Sequence, residues 1–464
     1  MTRNLLLYYL IQVILGITTS EILPILPVLI DSKSLSLFIN GAIISMFSFT
    51  MFIFIPLAPK ISKCLGPRVT MLFSIIIQIV STIVNGLCEF IDNKPTFVII
   101  CGLSRCIHGA GIGICSTLIF SFSASEADEK NSIDDIIGYL EFTTNIGELI
   151  GPIISSFLLG FKIYYIPFFA CSLLSCLSLI FSFFIQEKKI MKEKKNENKC
   201  NEVEEEGEVK ETKKEEKEEK EEKEEKEEKE EKEEKQGKII NIIKHPNAKI
   251  TLPLLCVLVD MIASNFFEPS LQIHYKSRFN LEEDISGYFF MIPIAAFVLT
   301  IKLFTILVEK KNHFVTMLIG ILLNSIFCLF IGPVYPIPHH LSCGIIGLAM
   351  IGATSSLMTI PQFVPMLHAL KNDYNIENER ANDFGSVIYN LVSKVGDGVG
   401  PILGGMLDNY LNFDITCIIM CGLNVLTAGV FVVYIILAKI QRKKEEAIKE
   451  DKRNITSSIE MNML

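Results

Sequence analysis

The sequence predicts an all-α membrane protein of about twelve transmembrane helices in two six-helix bundles. Three observations carry that prediction. Of the 464 residues, 50% are hydrophobic and only 20% charged, and the mean hydropathy is +0.42, more apolar length than a soluble domain of this size needs. Apolar stretches of roughly 20 residues, enough to cross ~30 Å of hydrocarbon, recur along the chain. One long polar segment divides these stretches evenly.

The first set of spans reads Leu5–Ile30, Leu37–Ala58, Val69–Phe90, Thr96–Ser123, Ile133–Gly160 and Ile163–Ile185. The second reads Ile250–Tyr275, Ile285–Val308, Phe314–Val334, Leu341–Leu370, Phe384–Leu407 and Ile415–Ala438. The first stretch is too long, and too poor in cleavage signals, to be a removed signal peptide, so it is read as a retained helix. Basic residues in short connections set the orientation. Lys60, Lys63 and Arg68 follow span two, Lys310 and Lys311 follow span eight, and Lys439, Arg442, Lys443 and Lys444 follow span twelve. Both termini and the central segment are therefore expected on the cytoplasmic side. The 13 cysteines show neither zinc-like nor disulfide-framework spacing and read as small apolar residues.

Between the halves the composition changes to Glu/Lys triplets that make up much of the formal charge of −9. Such a segment has nothing apolar to pack and reads as a solvated spacer, helical or disordered. The expected organisation is a first bundle over 1–186, a Glu/Lys-rich linker over 187–247, a second bundle over 248–438 and a cytoplasmic tail over 439–464.

Span five contains Gly147-Glu148-x-x-Gly151-Pro152, and span eleven, its counterpart, contains Gly396-Asp397-x-x-Gly400-Pro401. Small residues four apart let helix backbones approach, and proline bends a membrane helix. Neither property explains an acid at the same place in both motifs. A charge at the bilayer centre costs roughly 3 kcal/mol or more, so each needs a partner, water or a task. Glu21, Arg105, Glu141, Glu148, Asp260, Glu268, Lys394 and Asp397 all lie inside spans, and a cavity with surplus acids attracts cations. Counting from the turn between spans four and five places Glu148 at the depth of His108, with Arg105 one turn further, so these three are expected to be neighbours. The functional reading is an Arg-paired, proton-exchanging carboxylate with His108 beside it; a static salt bridge locking two helices is the competing one. Lys394 and Asp397, three apart, are expected to neutralise each other, with Asp397 still able to exchange that partner for a proton or cation. Tyr139, Phe142 and Tyr389 lie near the acids and offer cation–π faces.

Several stretches carry a family resemblance. "LSRCIHGAGIG" in span four, with Arg105, His108 and glycines 109, 111 and 113, and the Gly-x-x-x-Gly-Pro of span five resemble the paired signatures of proton-coupled antiporters of the major facilitator superfamily. His108 stands where those families more often have Gln. The loop after span two matches the superfamily's gating loop only in Gly66 and Arg68, with Lys63 in place of its usual Asp. "GYLEFTTNIGELIGP", "NFFEPSLQIHYKSRFNLEEDISGYFF", "FIGPVYPI" and "SLMTIPQFVPML" resemble the vesicular amine transporter family, particularly its polyamine-type branch. The resemblance implies the major facilitator fold, proton-coupled antiport of an organic cation by alternating access, and substrate-binding roles for Glu141 and Glu268. Asp260, Glu21 and Tyr389 join these as substrate candidates by depth and proximity. Arg105, His108, Glu148, Asp397 and Lys394 are the proton-coupling candidates.

The expected partners are a small organic cation, protons and the lipid bilayer. The protein is read as a monomer that binds no nucleic acid, needs no cofactor or metal, and is not an enzyme. A vesicle or another acidic endomembrane is the expected location, with the plasma membrane as the other possibility. Two alternatives stay open: a superfamily carrier for a drug, sugar or metabolite, whose acids serve proton coupling alone, and a non-transporting receptor or scaffold whose Glu/Lys segment binds a partner. The spacer reading is testable: replacing Cys200–Lys235 by a flexible linker of similar reach leaves uptake per folded protein within a few-fold, and complete loss in a folded, correctly targeted protein contradicts it.

Overall fold

The computed structural model describes residues 2–124, 126, 133–185, 247–308, 312–334, 336–374, 376 and 378–463. The expected linker lies outside the described residues up to position 246. All regular elements among the described residues are helices. Ten are long and apolar enough to cross a membrane. The helices of the other two expected spans, Arg3–Ser20 and Asn378–Tyr410, occupy spans one and eleven and are more polar, the latter through Lys394, Asp397 and Asp408. The remaining spans are Leu37–Phe54, Pro67–Leu87, Lys94–Ala124, Ile133–Leu159 and Tyr165–Phe183 in the first half. In the second half they are Ala248–Asn265, Met291–Val308, His313–Ile331, Leu341–Asn372 and Phe413–Met463. The last helix runs well past the expected end of its span at Ala438. Large apolar side chains such as Leu173, Leu299 and Leu426 stay exposed on the outer faces, as a lipid-facing surface requires.

Spans one and seven are not continuous helices as the hydropathy suggests. Span one stops at Ser20 and resumes as Leu26–Ser32; span seven stops at Asn265 and resumes as Leu271–Phe279. Pro24 and Pro269 lie in the two breaks and lack the N–H that would continue the helix. In span one the hydroxyls of Thr18, Thr19 and Ser20 also turn back to the carbonyls of Leu15 and Gly16, which bends a membrane helix. Each break contains one acid, Glu21 in the first bundle and Glu268 in the second.

The repeated glycine motifs do the same packing in both halves. Gly147 and Gly151 bring span five against the backbone of span one at Val13, Gly16 and Ile17. Gly396, Gly400 and Gly404 bring span eleven against span seven at Leu258, Ile262 and Phe266. A Cβ at Gly147 would collide with the Val13 carbonyl, and one at Gly404 with that of Phe266. Backbone is the obstacle in each case, so no rotamer change relieves it.

Toward the side away from the chain termini the bundles close on each other, backbone against backbone. Gly41 of span two lies on the Pro401 carbonyl, and Gly405 of span eleven lies on that of Leu37. Asn40 Nδ2 donates to the Pro269 carbonyl at 2.7 Å, which uses the acceptor that the break in span seven exposes. Nearer the surface, Lys276 Nζ bonds Glu283 at 2.7 Å and reaches Asp31 of the first bundle at 3.9 Å. Toward the termini Glu141, Tyr139, Phe142 and Val387 are exposed, so the space between the bundles opens on that side.

Packing of span five on span one predicts a strong local sensitivity. Gly147→Val costs about 2 kcal/mol or more of stability, as overpacking against rigid backbone does, and a melting curve of the purified protein reads it. Glycine at 138, where an added Cβ meets nothing within 4 Å, serves as the control position.

Candidate functional site

The glycine face of span five fixes where Glu148 points. Successive helical residues differ by about 100°, so with Gly147 and Gly151 turned onto span one, Glu148 turns away from them, toward the second bundle. The charges that act on it are those of Lys394 and Asp397 in span eleven. This corrects the expectation that Glu148 neighbours Arg105 and His108. Equal depth along two helices does not put two side chains on facing sides.

Lys394 Nζ bonds Asp397 Oδ2 at 2.5 Å across one helical turn, as expected. Asp397 Oδ1 accepts a second hydrogen bond, at 3.0 Å, from Asn265 Nδ2, the residue at which span seven breaks. Glu268, inside that break, is acted on by Asp397, Arg105, Glu148 and Lys394. The unwound segment thus carries an acid into the middle of a cluster drawn from both bundles. Broken membrane helices that line a cavity are a known way to build such sites.

Arg105 is buried, at 2% exposure. Its Nη1 lies 3.2 Å from His108 Nδ1, and the guanidinium stands 4.6 Å from the centroid of the Phe47 ring. A guanidinium only donates, so His108 Nδ1 accepts and the imidazole is neutral with its proton on Nε2. The acids acting on Arg105 are Glu21 from its own bundle and Glu268 from the other.

A second polar group lies within the second bundle. Asp260, 3% exposed, accepts from Ser355 Oγ at 2.7 Å and from Gln362 Nε2 at 3.1 Å. Tyr389 donates to Gln362 Oε1 at 3.4 Å and meets the Phe363 ring edge-on. Tyr389 is also within electrostatic range of Glu141 across the cavity and of Asp260 and Asp397. Gln362, Ser355 and Asn265 were not anticipated. Gln362, beside Pro361 within a membrane span, is the one the sequence signals.

Nine of the ten expected site residues thus form two connected polar groups around the space between the bundles. One comprises Arg105, His108, Glu148, Glu268, Lys394 and Asp397, and the other Glu141, Asp260 and Tyr389. Glu21 lies behind them, inside the first bundle. Acids outnumber permanent cations among these nine residues. Among the described residues no three His, Cys, Asp or Glu side chains are grouped to hold a metal ion.

Comparison with known proteins agrees with this architecture. The family model for the Major Facilitator Superfamily matches residues 8–375. The chain is 21% identical over 386 residues to the MFS-type transporter SLC18B1 of Homo sapiens, covering 82% of this chain and 73% of that one. The Mus musculus protein of the same name is 21% identical over 359 residues, 75% of this chain and 67% of that one. Among solved structures, the D-xylose-proton symporter superposes with a TM-score of 0.67 at 14% identity, over 92% of this chain and 96% of its own. The nucleoside transporter NupG gives 0.67 at 12% identity, over 93% and 99%.

The Lys394–Asp397 pair yields a prediction that separates pairing from chemistry. Lys394→Met or Asp397→Leu alone strands a charge in a partly buried site and lowers the melting temperature. Combining the two recovers most of that loss, because neither charge is then left without its partner. A double variant no more stable than the worse single one contradicts the pairing.

Proposed function

The chain belongs to the Major Facilitator Superfamily, and from that premise we propose that this transporter is a proton-coupled antiporter of organic cations, with polyamines or related amines as substrates. The observation that carries this reading is the convergence of Glu148, Glu268 and Asp397 on one open-sided cavity, with Arg105 and Lys394 too few to neutralise all the acids around it. An alkylammonium group supplies the missing charge and donates to carboxylates in charge-assisted hydrogen bonds. Protons supply the same charge from the opposite side, so the two compete for the acids, and that competition is the coupling.

The arrangement of the acids supports a substrate with more than one amine. Glu141, with Tyr389 and Asp260 nearby, lies toward the open mouth. The Glu148, Glu268 and Asp397 group lies deeper, next to the closure between the bundles. An extended polyamine reaches both groups at once, and the resemblance to the polyamine-type branch of the vesicular amine transporters points to the same class. Glu141 and Glu268 are assigned to substrate, and Glu148, with the Lys394–Asp397 pair, to proton exchange.

With the termini in the cytoplasm, the cavity faces the cytoplasm. The bundles, taken as 1–186 and 248–438, rock about the cluster to expose it to the lumen of an acidic compartment. Opening requires Asn40 to release the Pro269 carbonyl and Lys276 to leave Asp31. The protein acts as a monomer in this scheme, since each chain contributes both bundles.

Uptake of labelled spermidine into proteoliposomes with an acidic interior tests the reading, and dissipating the gradient abolishes accumulation. Glu148→Gln impairs gradient-driven uptake while equilibrium spermidine binding survives. Glu141→Gln instead weakens that binding, by about tenfold for one charge-assisted hydrogen bond. Wild-type uptake by the first variant returns Glu148 to a packing role, and unchanged binding by the second removes Glu141 from the substrate site. Accumulation of a labelled sugar or metabolite in place of amines favours the alternative carrier.

A further inference from the structure

Spans three and six lie side by side and antiparallel, and their other main packing partners are spans four and one of the same bundle. At the end away from the termini, Gly86 of span three meets the Phe168 side chain of span six. At the terminus-side end, Arg68 Nη2 donates to the Phe183 carbonyl at 3.3 Å. Between those two contacts both helices carry apolar ridges. Val69, Phe73 and Val80 of span three and Leu173, Ile180 and Phe183 of span six are all exposed, as a face turned to acyl chains requires.

The terminus-side end of this seam carries cations with no matching acid. Arg68 is the second residue of its helix, and its exposed guanidinium has five N–H groups, of which the Phe183 carbonyl takes one. Arg3, the first residue of span one, holds its guanidinium 5.8 Å from the centroid of the Phe184 ring. Two arginines from different helices thus flank the end of a third. Neither is ion-paired among the described residues; Glu126, which reaches the start of span one, is occupied by Thr2 and Asn4. Lys60 and Lys63 add charge from the short helix Ala58–Leu65, which packs on spans three and four. Between Asp31 and Glu89 the chain has no acid.

A cation beside the last carbonyls of a helix caps it, and basic residues gather on the cytoplasmic side of membrane proteins in general. Capping uses one donor of Arg68 and none of Arg3, so it leaves the second arginine and most of the guanidinium donors without a task. The general charge bias sets the sign of a loop but does not bring two arginines to one helix end. A small free anion would satisfy the arginines and make no use of the apolar ridges that lead away from them. An acyl chain alone would use the ridges and leave the charges. A phospholipid with a net negative headgroup uses both, with its phosphate on the guanidinium groups and its chains along the seam.

We propose that the terminus-side end of the seam between spans three and six binds one anionic glycerophospholipid of the cytoplasmic leaflet, held through its headgroup by Arg3 and Arg68. Arginine suits the task because its planar fork matches phosphate oxygens two at a time and stacks on an aromatic ring, as Arg3 does on Phe184. The bound headgroup bridges the ends of spans one and three across the end of span six, and so braces the first bundle where its helices meet the membrane surface. The site does not depend on what the protein carries.

Native mass spectrometry of the purified full-length protein in detergent, titrated with phosphatidylserine or with phosphatidylcholine of the same chains, tests the proposal. The wild type binds its first phosphatidylserine more tightly than phosphatidylcholine, and Arg3→Gln and Arg68→Gln each weaken that binding about fivefold. Lys94→Gln, which removes an exposed cation on the opposite side of the membrane, leaves it unchanged. Phosphatidylserine also raises the melting temperature of the wild type and not that of the two arginine variants combined. Equal affinity for the two lipids overturns the proposal, as does wild-type phosphatidylserine affinity in the combined variant. Soluble glycerophosphoserine competing as well as the lipid itself assigns the arginines to a free anion and overturns the lipid. If Arg68→Gln does not fold for want of its bond to Phe183, Arg3→Gln, which breaks no hydrogen bond among the described residues, still shows the fivefold loss, and no loss there overturns the site.

Discussion

A charge held at bilayer depth must be neutralised, hydrated or released, and the rest of this structure is arranged around that requirement. Each buried charge has one of these three outcomes. Lys394 and Asp397 neutralise each other. Asp260 is satisfied by Ser355 and Gln362. Glu148, Glu268 and Glu141 are left facing the space between the bundles.

Glycine packing and charge placement are one design rather than two. In both motifs the acid follows directly on a glycine that seats its helix against a neighbour's backbone. Seating that face directs the acid to another, about 100° away. The breaks in spans one and seven extend the same logic. Each gives up helical hydrogen bonds near a proline and places an acid among the unwound residues. In the second bundle the freed Pro269 carbonyl is taken by Asn40 of the first, so the site and the closure between the bundles share one segment of chain. Movement of that segment therefore bears on both.

Much of this was legible in the sequence. The apolar repeats gave the spans, the Glu/Lys segment separated the halves, and the two Gly-Pro motifs announced that spans five and eleven correspond. The internal acids stood out because hydropathy makes them costly. What could not be read was azimuth: Glu148 and His108 lie at like depth, yet Glu148 answers to Lys394 and Asp397 because its neighbouring glycines set its direction. The helix breaks were hidden as well, since proline in a membrane span bends some helices and interrupts others.

Competition between protons and an amine for the same carboxylates is the central claim, and proton release on binding measures it most directly. Purified protein in weakly buffered solution with a pH indicator, mixed with spermidine at a pH where the acids are part-protonated, is predicted to release protons in proportion to the sites filled. Glu148→Gln is predicted to bind spermidine and release fewer. Saturable spermidine binding with no proton release at any pH tested would contradict the account.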